Sequence, residues 1–203
     1  MDNGVIAHEY FHHVSNRLVN EAFGLINLQG GGMGEGWSDF CSMMLFVREG
    51  EDALAGNDEW QDAYGTGVYV DNSAYFGIRR APYSTDFAVN DLTFQHIQEG
   101  LALPGTVPYQ FGASGEGNSE EHSTGEIWAN MLWEVYAALL NDSRYTYAQA
   151  QVRMQDYVIA GLKTLGLTPT MIEARDGILA VARATDQDDY ELIAAAFAKR
   201  GIG

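Results

Sequence analysis

The sequence predicts a mainly α-helical protein with an irregular, loop-rich insert and little strand. Three observations predict it. Apolar residues recur at helical spacing in both the first and the last third of the 203-residue chain. A hydrophobic content of 46% is that of a packed globular protein. The middle is different: glycine, aspartate and short aromatic runs dominate, with no sustained period.

Each element follows from its own pattern. In residues 4–22, Ile6, Tyr10, Val14 and Leu18 form one apolar stripe. The glycines of "GLINLQGGG" interrupt it, and a second helix is expected from near Met33 to about Arg48. Between them and the next helix, "GVYV" reads as a strand and "LTFQHIQ" as a short helix. Residues 120–141 carry Ile127, Met131, Val135 and Leu139, with Trp128, Leu132 and Tyr136 beside them. So wide a stripe belongs to a central, buried helix. Residues 146–165 use Met154, Val158, Leu162 and Leu165. In "TPTMIEARDGILAVARA", Thr168 reads as N-cap and Pro169 as first turn. Tyr190, Ile193, Ala194 and Phe197 mark a last helix. The expected organisation is a single lobe over 1–203: two helices in 1–49, the insert in 50–117, a helical bundle in 118–203.

Composition excludes some functions. With 28 acids against 11 bases the net charge is −17, which disfavours nucleic acid as a partner and reads as solubility through self-repulsion. No apolar run approaches the ~20 residues of a membrane span, so no membrane association is expected. The single cysteine, Cys41, sits in the apolar run "FCSMMLF" as a small buried filler, and no internal disulfide can form.

The chemistry is concentrated in "VIAHEYFHHVSNRL". His8, Glu9 and His12 spell H-E-x-x-H inside the first predicted helix. Residues four apart share a helix face, about 6 Å along the axis, so two imidazoles can bind one Zn²⁺. Glu9 lies about 100° further round and can reach a water on the metal without being a ligand, as metal-assisted hydrolysis requires. Catalytic zinc takes three protein ligands. "GGMGEGWSDF" offers Glu35, 23 residues after His12, and Asp39 four residues later on the same face. A carboxylate at Asp39 can accept the free ring N–H of a ligand histidine and fix its tautomer. His122, opening the most hydrophobic helix, is the candidate to stabilise the oxyanion of a tetrahedral intermediate. His96 reads as structural and His13 as support or helix surface. The glycines of "GGGMGEG" lack the following Lys-Ser or Lys-Thr of a phosphate loop, and no calcium loop of the D-x-[DN]-x-[DN]-G type is present.

At these residues the chain resembles a known family. "DNGVIAHEYFHHVSNRL", "GGMGEGWSDF", "GIRRAPYSTDF", "HSTGEIWANMLWEVY" and "AFAKRGIG" resemble, in this order, the fungalysin family of secreted zinc metallopeptidases. That family belongs with thermolysin among peptidases whose third zinc ligand is a glutamate. The resemblance spans the chain and implies the C-terminal helical lobe of a thermolysin-like catalytic domain. It implies His8, His12 and Glu35 as zinc ligands and Glu9 as general base. It also implies His122 as transition-state stabiliser and Asp39 as support for a ligand histidine, His8. Arg79 matches a family arginine near the substrate cleft, with Arg80 left as the alternative.

The implied activity is endopeptidase cleavage of extracellular peptides or proteins. The chain departs from the family pattern in three places. His13 stands where a glycine usually follows the second ligand histidine. The loop 19–32 is short and lacks a cysteine often found there. The chain opens at the metal helix, whereas family members first carry an inhibitory propeptide and a β-rich lobe that forms one wall of the cleft. A lobe without that wall is expected to bind metal, cleave poorly alone and self-associate through exposed apolar surface. The competing expectation is a non-catalytic zinc-binding lobe.

Overall fold

The computed structural model describes residues 2–203. Among them lie six α-helices: α1 (Asn3–Leu18), α2 (Leu28–Phe46), α3 (Glu121–Asn141), α4 (Tyr147–Leu162), α5 (Met171–Thr185) and α6 (Gln187–Lys199). The structure is 56% helical and 2% strand, with no sheet among the described residues. This is the mainly helical architecture the periodicity predicts. None of the helices is long and apolar enough to cross a membrane.

The core forms around α3, which is buried along most of its length, as its wide apolar stripe anticipates. Trp128 meets Trp37 of α2 edge to face, with ring centroids 5.5 Å apart, and stacks on Phe197 of α6 at 5.8 Å. Tyr136 meets Phe40 in the same edge-to-face geometry. The sheet-free packing is therefore helix on helix, with α2 held between α1 and α3.

Several elements differ from the sequence expectation, each for a local reason. Helix α2 begins at Leu28, not near Met33, with Asn27 as N-cap. The run "GGG" is thus inside the helix rather than in the turn before it. Its glycines serve close approach: a Cβ on Gly32 would stand 2.5 Å from Thr124 Cγ2, and one on Gly36 would stand 2.5 Å from the Gly125 carbonyl oxygen. Residues 67–70, "GVYV", form a turn and not a strand. The Tyr69 and Val70 N–H groups donate to Asp2 Oδ2, while Asp2 Oδ1 accepts from Gly4 and Val5 at the start of α1. One carboxylate therefore caps the first helix and anchors that turn to it. Helix α5 is capped by Thr170, not Thr168. Thr170 and Glu173 form a reciprocal capping box that fixes the start after Pro169.

The segment between α2 and α3 is irregular, as predicted. "LTFQHIQ" forms a short 3₁₀ turn, and His96 is buried as part of its capping box. Two isolated bridges, Tyr64 with Tyr83 and Thr66 with Gly77, pinch the segment 64–83 into a closed loop. Gly77 has φ +59°, and a Cβ there would stand 2.0 Å from the Thr66 carbonyl oxygen, so only glycine fits. The segment is tied to the bundle by Arg200. Its guanidinium donates to Glu134 of α3 and to the carbonyls of Ser84, Asn90 and Leu92.

The α2–α3 contact yields a test. A Cβ on Gly125 would lie 2.6 Å from Glu35 Cβ and 2.8 Å from the Gly32 carbonyl oxygen. Gly125→Ala is expected to destabilise the fold by about 1–3 kcal/mol through overpacking and to displace Glu35. Thermal melts and zinc titrations of the variant should both move; an unchanged pair would show that the two helices have room to spare.

Candidate metal centre

Helix α1 places His8 and His12 on one face, and α2 places Glu35 and Asp39 on the face turned toward them. The ring nitrogens His8 Nε2 and His12 Nε2 are 3.0 Å apart. Glu35 completes a triangle, with Oε2 3.3 Å from His8 Nε2 and Oε1 3.2 Å from His12 Nε2. These are the three residues whose donor atoms converge within 4.8 Å of one another.

The donor set fits zinc. Ligands about 2.0–2.1 Å from a tetrahedral ion are separated by roughly 3.3–3.4 Å, close to the three distances observed. Two imidazole lone pairs at 3.0 Å repel unless a cation or proton lies between them. The tautomer is also prepared. His8 Nδ1 lies 2.7 Å from Asp39 Oδ1, so Nδ1–H donates there and Nε2 keeps its lone pair for a metal.

Asp39 is fully buried and is the hub of this arrangement. Besides His8 it accepts from Arg79, with Nε–Oδ2 2.6 Å and Nη2–Oδ1 3.0 Å, and from the Tyr83 hydroxyl. Burial alone would raise its pKa, but the Arg79 charge and the His8 hydrogen bond hold it at about 2. For His8, burial opposes protonation. The hydrogen bonds to Asp39 and Glu35 outweigh it and raise the pKa to about 9. Burial likewise opposes ionisation of Glu35, yet hydrogen bonds from His12 and His8 hold it well below the usual carboxylate range.

The remaining candidates fall around this triangle. Arg79 is buried and also donates from Nη2 to Glu35 Oε2 at 3.2 Å; none of the described hydrogen bonds uses its Nη1. Arg80 points elsewhere. It is consumed by Glu126, Asn118 Oδ1 and the Ser123 carbonyl. His122 opens α3 with its ring about half exposed, and its Nε2 lies 3.5 Å from Glu35 Oε2. Glu9 is exposed next to His8, and its carboxylate takes part in no described hydrogen bond. His13 is on the helix surface, stacked on Tyr10, and Cys41 is buried among apolar neighbours.

Two residues join the site that the sequence reading did not single out. Tyr83 reaches Asp39 from the insert, and no periodicity could have found it. Glu120 binds His122 Nδ1 through Oε1 at 2.5 Å, while its Oε2 accepts from the His122 and Ser123 backbone amides. An acid two residues before the candidate histidine, at a predicted helix start, was the available signal for Glu120.

Two histidines four apart on one helix and a glutamate from the next define a candidate centre of the metallohydrolase kind, set in a helical lobe. The comparisons with known proteins agree on a family. The model of the fungalysin metallopeptidases (M36) matches residues 1–203. The extracellular metalloproteinase mep of Aspergillus niger is 32% identical over 217 residues, covering 100% of this chain and 30% of the relative. Extracellular metalloproteinase 10 of Coccidioides posadasii is 30% identical over 98% of this chain, and the extracellular metalloproteinase MEP of Fusarium vanettenii is 32% identical over 100% of this chain and 30% of the relative. The chain belongs to the fungalysin metallopeptidase family. It spans about 30% of the length of the curated relatives it matches.

The hub predicts a metal phenotype and an acid phenotype. Asp39→Asn should lower zinc affinity about 10–100-fold, the usual cost of losing a partner behind a ligand histidine, measured by competition with a chromophoric chelator. Asp39 also titrates lower in the fold than its ordinary value of 3.8. Its stabilising contribution, about 2 kcal/mol, is therefore complete above pH 4 and is lost as pH falls toward 2. Denaturant melts between pH 5 and 2 should show a shallower acid slope in Asp39→Asn than in wild type.

Proposed function

We propose that this chain is the zinc-bearing helical lobe of an extracellular endopeptidase, with His8, His12 and Glu35 as ligands. The observation that carries the reading is the convergence of these three donors, with Glu9 exposed beside them and His122 across from them. The names of the relatives support an extracellular metalloproteinase. The proposed organisation is one lobe: metal-site helices in 1–49, the insert in 50–117 that delivers Arg79 and Tyr83, and the bundle in 118–203 that delivers His122.

Zinc held by these ligands would supply a water of pKa about 7 and polarisation of the scissile carbonyl. Everything else falls to the chain's own side chains. Glu9 removes a proton from the attacking water and returns it to the leaving amine. His122 is held through Nδ1 by Glu120, which leaves Nε2 turned to the site to serve the oxyanion that develops on the carbonyl. The Glu120 carboxylate fixes the ring plane. Arg79 holds Asp39 and Glu35 in place, and its Nη1 is left to donate to a substrate carbonyl.

The test separates chemistry from metal binding. Glu9→Gln should retain one zinc per chain and lose peptide cleavage by 10²–10⁴-fold. His122→Ala should lower kcat by roughly 10²–10³-fold with little change in KM. Zinc content is read by atomic absorption and turnover with a fluorogenic peptide. A wild-type chain that binds zinc and cleaves nothing, with or without a supplied β-rich lobe, would instead be the non-catalytic binding lobe.

A further inference from the structure

Arg79 and Arg80 are consecutive, yet their side chains run to different helices. Arg79 reaches α2, where it holds Asp39 and Glu35. Arg80 reaches α3 and binds residues on both sides of His122 in sequence. Its Nη1 donates to Asn118 Oδ1 at 2.8 Å and its Nη2 to the Ser123 carbonyl at 2.9 Å. Glu126 takes the rest, with Oε2 2.8 Å from Nε and Oε1 2.6 Å from the Arg80 backbone nitrogen. The Cα atoms of neighbouring residues are held about 3.8 Å apart. The pair is therefore a spacer of fixed length between the third ligand and the turn that carries His122. We propose that Arg80 is a positioning residue for His122: with Arg79 as the adjoining anchor, it sets where the first turn of α3 stands relative to Glu35. The reaction feels Arg80 only through the His122 ring. The proposal deepens the peptidase reading above and rests on it.

Three observations lead there. First, the His122 ring is about half exposed, and its described side-chain partners are Glu120, two residues away, and Glu35 at 3.5 Å. Its place therefore follows the backbone of the turn that carries it. Second, that turn is tied down through the groups Arg80 binds. The Asn118 carbonyl accepts from Thr124 Oγ1, and the Asn118 side-chain amide donates to the carbonyls of Gln98 and Leu101. One guanidinium thus joins the insert to the start of α3. Third, Arg80 and Glu126 are both buried, and Arg80 donates to none of His8, His12 and Glu35. A buried ion pair is a poor source of stability, because an apolar pair of similar volume often holds a fold as well or better. Fixing register is its better-attested use.

Arg80→Met combined with Glu126→Gln tests this. The pair removes both buried charges together, and the side-chain amide oxygen at 126 still accepts from the backbone N–H of residue 80. A misplacement of about 1 Å can cost on the order of 10²-fold in rate. The double variant should therefore lower kcat about 10–100-fold, with zinc content and KM unchanged. In a His122→Ala background the same pair should lower kcat no further, because the group it positions is already gone. An effect as large in that background as in wild type overturns the proposal. Arg80→Lys keeps the charge but loses the planar fork that spans three partners. It should stay impaired, and wild-type kcat in that variant also overturns the proposal. An ion-free measurement keeps the two readings apart. With ¹³C-labelled histidine, NMR of the metal-free double variant should show the His122 ring signal shifted and the His8 and His13 signals in place. A chain that shows this shift but cleaves nothing loses the peptidase reading and keeps the positioning role; one that cleaves with the His122 signal unmoved does the reverse.

Discussion

The buried carboxylate of Asp39 is the constraint on which the centre depends. A lone charge with no solvent exposure would cost several kcal/mol. Here it accepts from His8, from two nitrogens of Arg79 and from Tyr83. Those donors come from α1 and from the irregular segment before α3, while Asp39 itself is on α2. Satisfying one carboxylate therefore fixes three parts of the chain relative to one another. The same contacts set the His8 tautomer and restrain Glu35 through the shared Arg79. Removing any single partner leaves the others buried and under-satisfied, so the group behaves as a unit rather than as separable pairs.

The second constraint is the near-absence of side chains between α2 and α3. Gly32, Gly36 and Gly125 bring the two helix backbones together. That distance decides where the first turn of α3 stands relative to Glu35, and hence where His122 stands. A helix of ordinary composition would lie further off, and the His122 ring would miss the site. The conformational entropy that glycines add to the unfolded chain is offset by the aromatic packing of Trp37 and Phe40 against Trp128 and Tyr136.

Much of this was legible before any coordinates. That His8 and His12 face the same way followed from helical spacing, because i and i+4 share a face whatever the tertiary context; Glu35 reaches them from a second helix. The central burial of α3 followed from the width of its apolar stripe. What was not legible depended on contacts distant in sequence. "GGG" resembles a break because glycine is poor in isolated helices; its use in close packing is visible only once α3 is in place. "GVYV" has strand-forming residues, yet its amides are taken by Asp2. Tyr83 lies in a segment with no period, so only the fold reveals that it reaches Asp39. The choice between Arg79 and Arg80 turned on a single residue of register in that same segment.

Charge balance explains why the centre is built with an arginine as well as two acids. With neutral imidazoles, Glu35 and Asp39 contribute two negative charges and Arg79 one positive, leaving a net deficit of one. That deficit favours a proton on His8, whose hydrogen bonds to Asp39 and Glu35 raise its pKa to about 9 despite burial. With a dication held in its place, the cluster carries one net positive charge. In the proposed reaction an oxyanion developing beside it would bring this cluster to neutrality. Without Arg79 the metal-loaded cluster would already be neutral, and the transition state would add an uncompensated negative charge in a half-buried site. In the proposed reaction the arginine would thus contribute electrostatics as well as geometry, leaving the metal-loaded cluster with a positive charge that the carbonyl oxygen would meet as it becomes anionic.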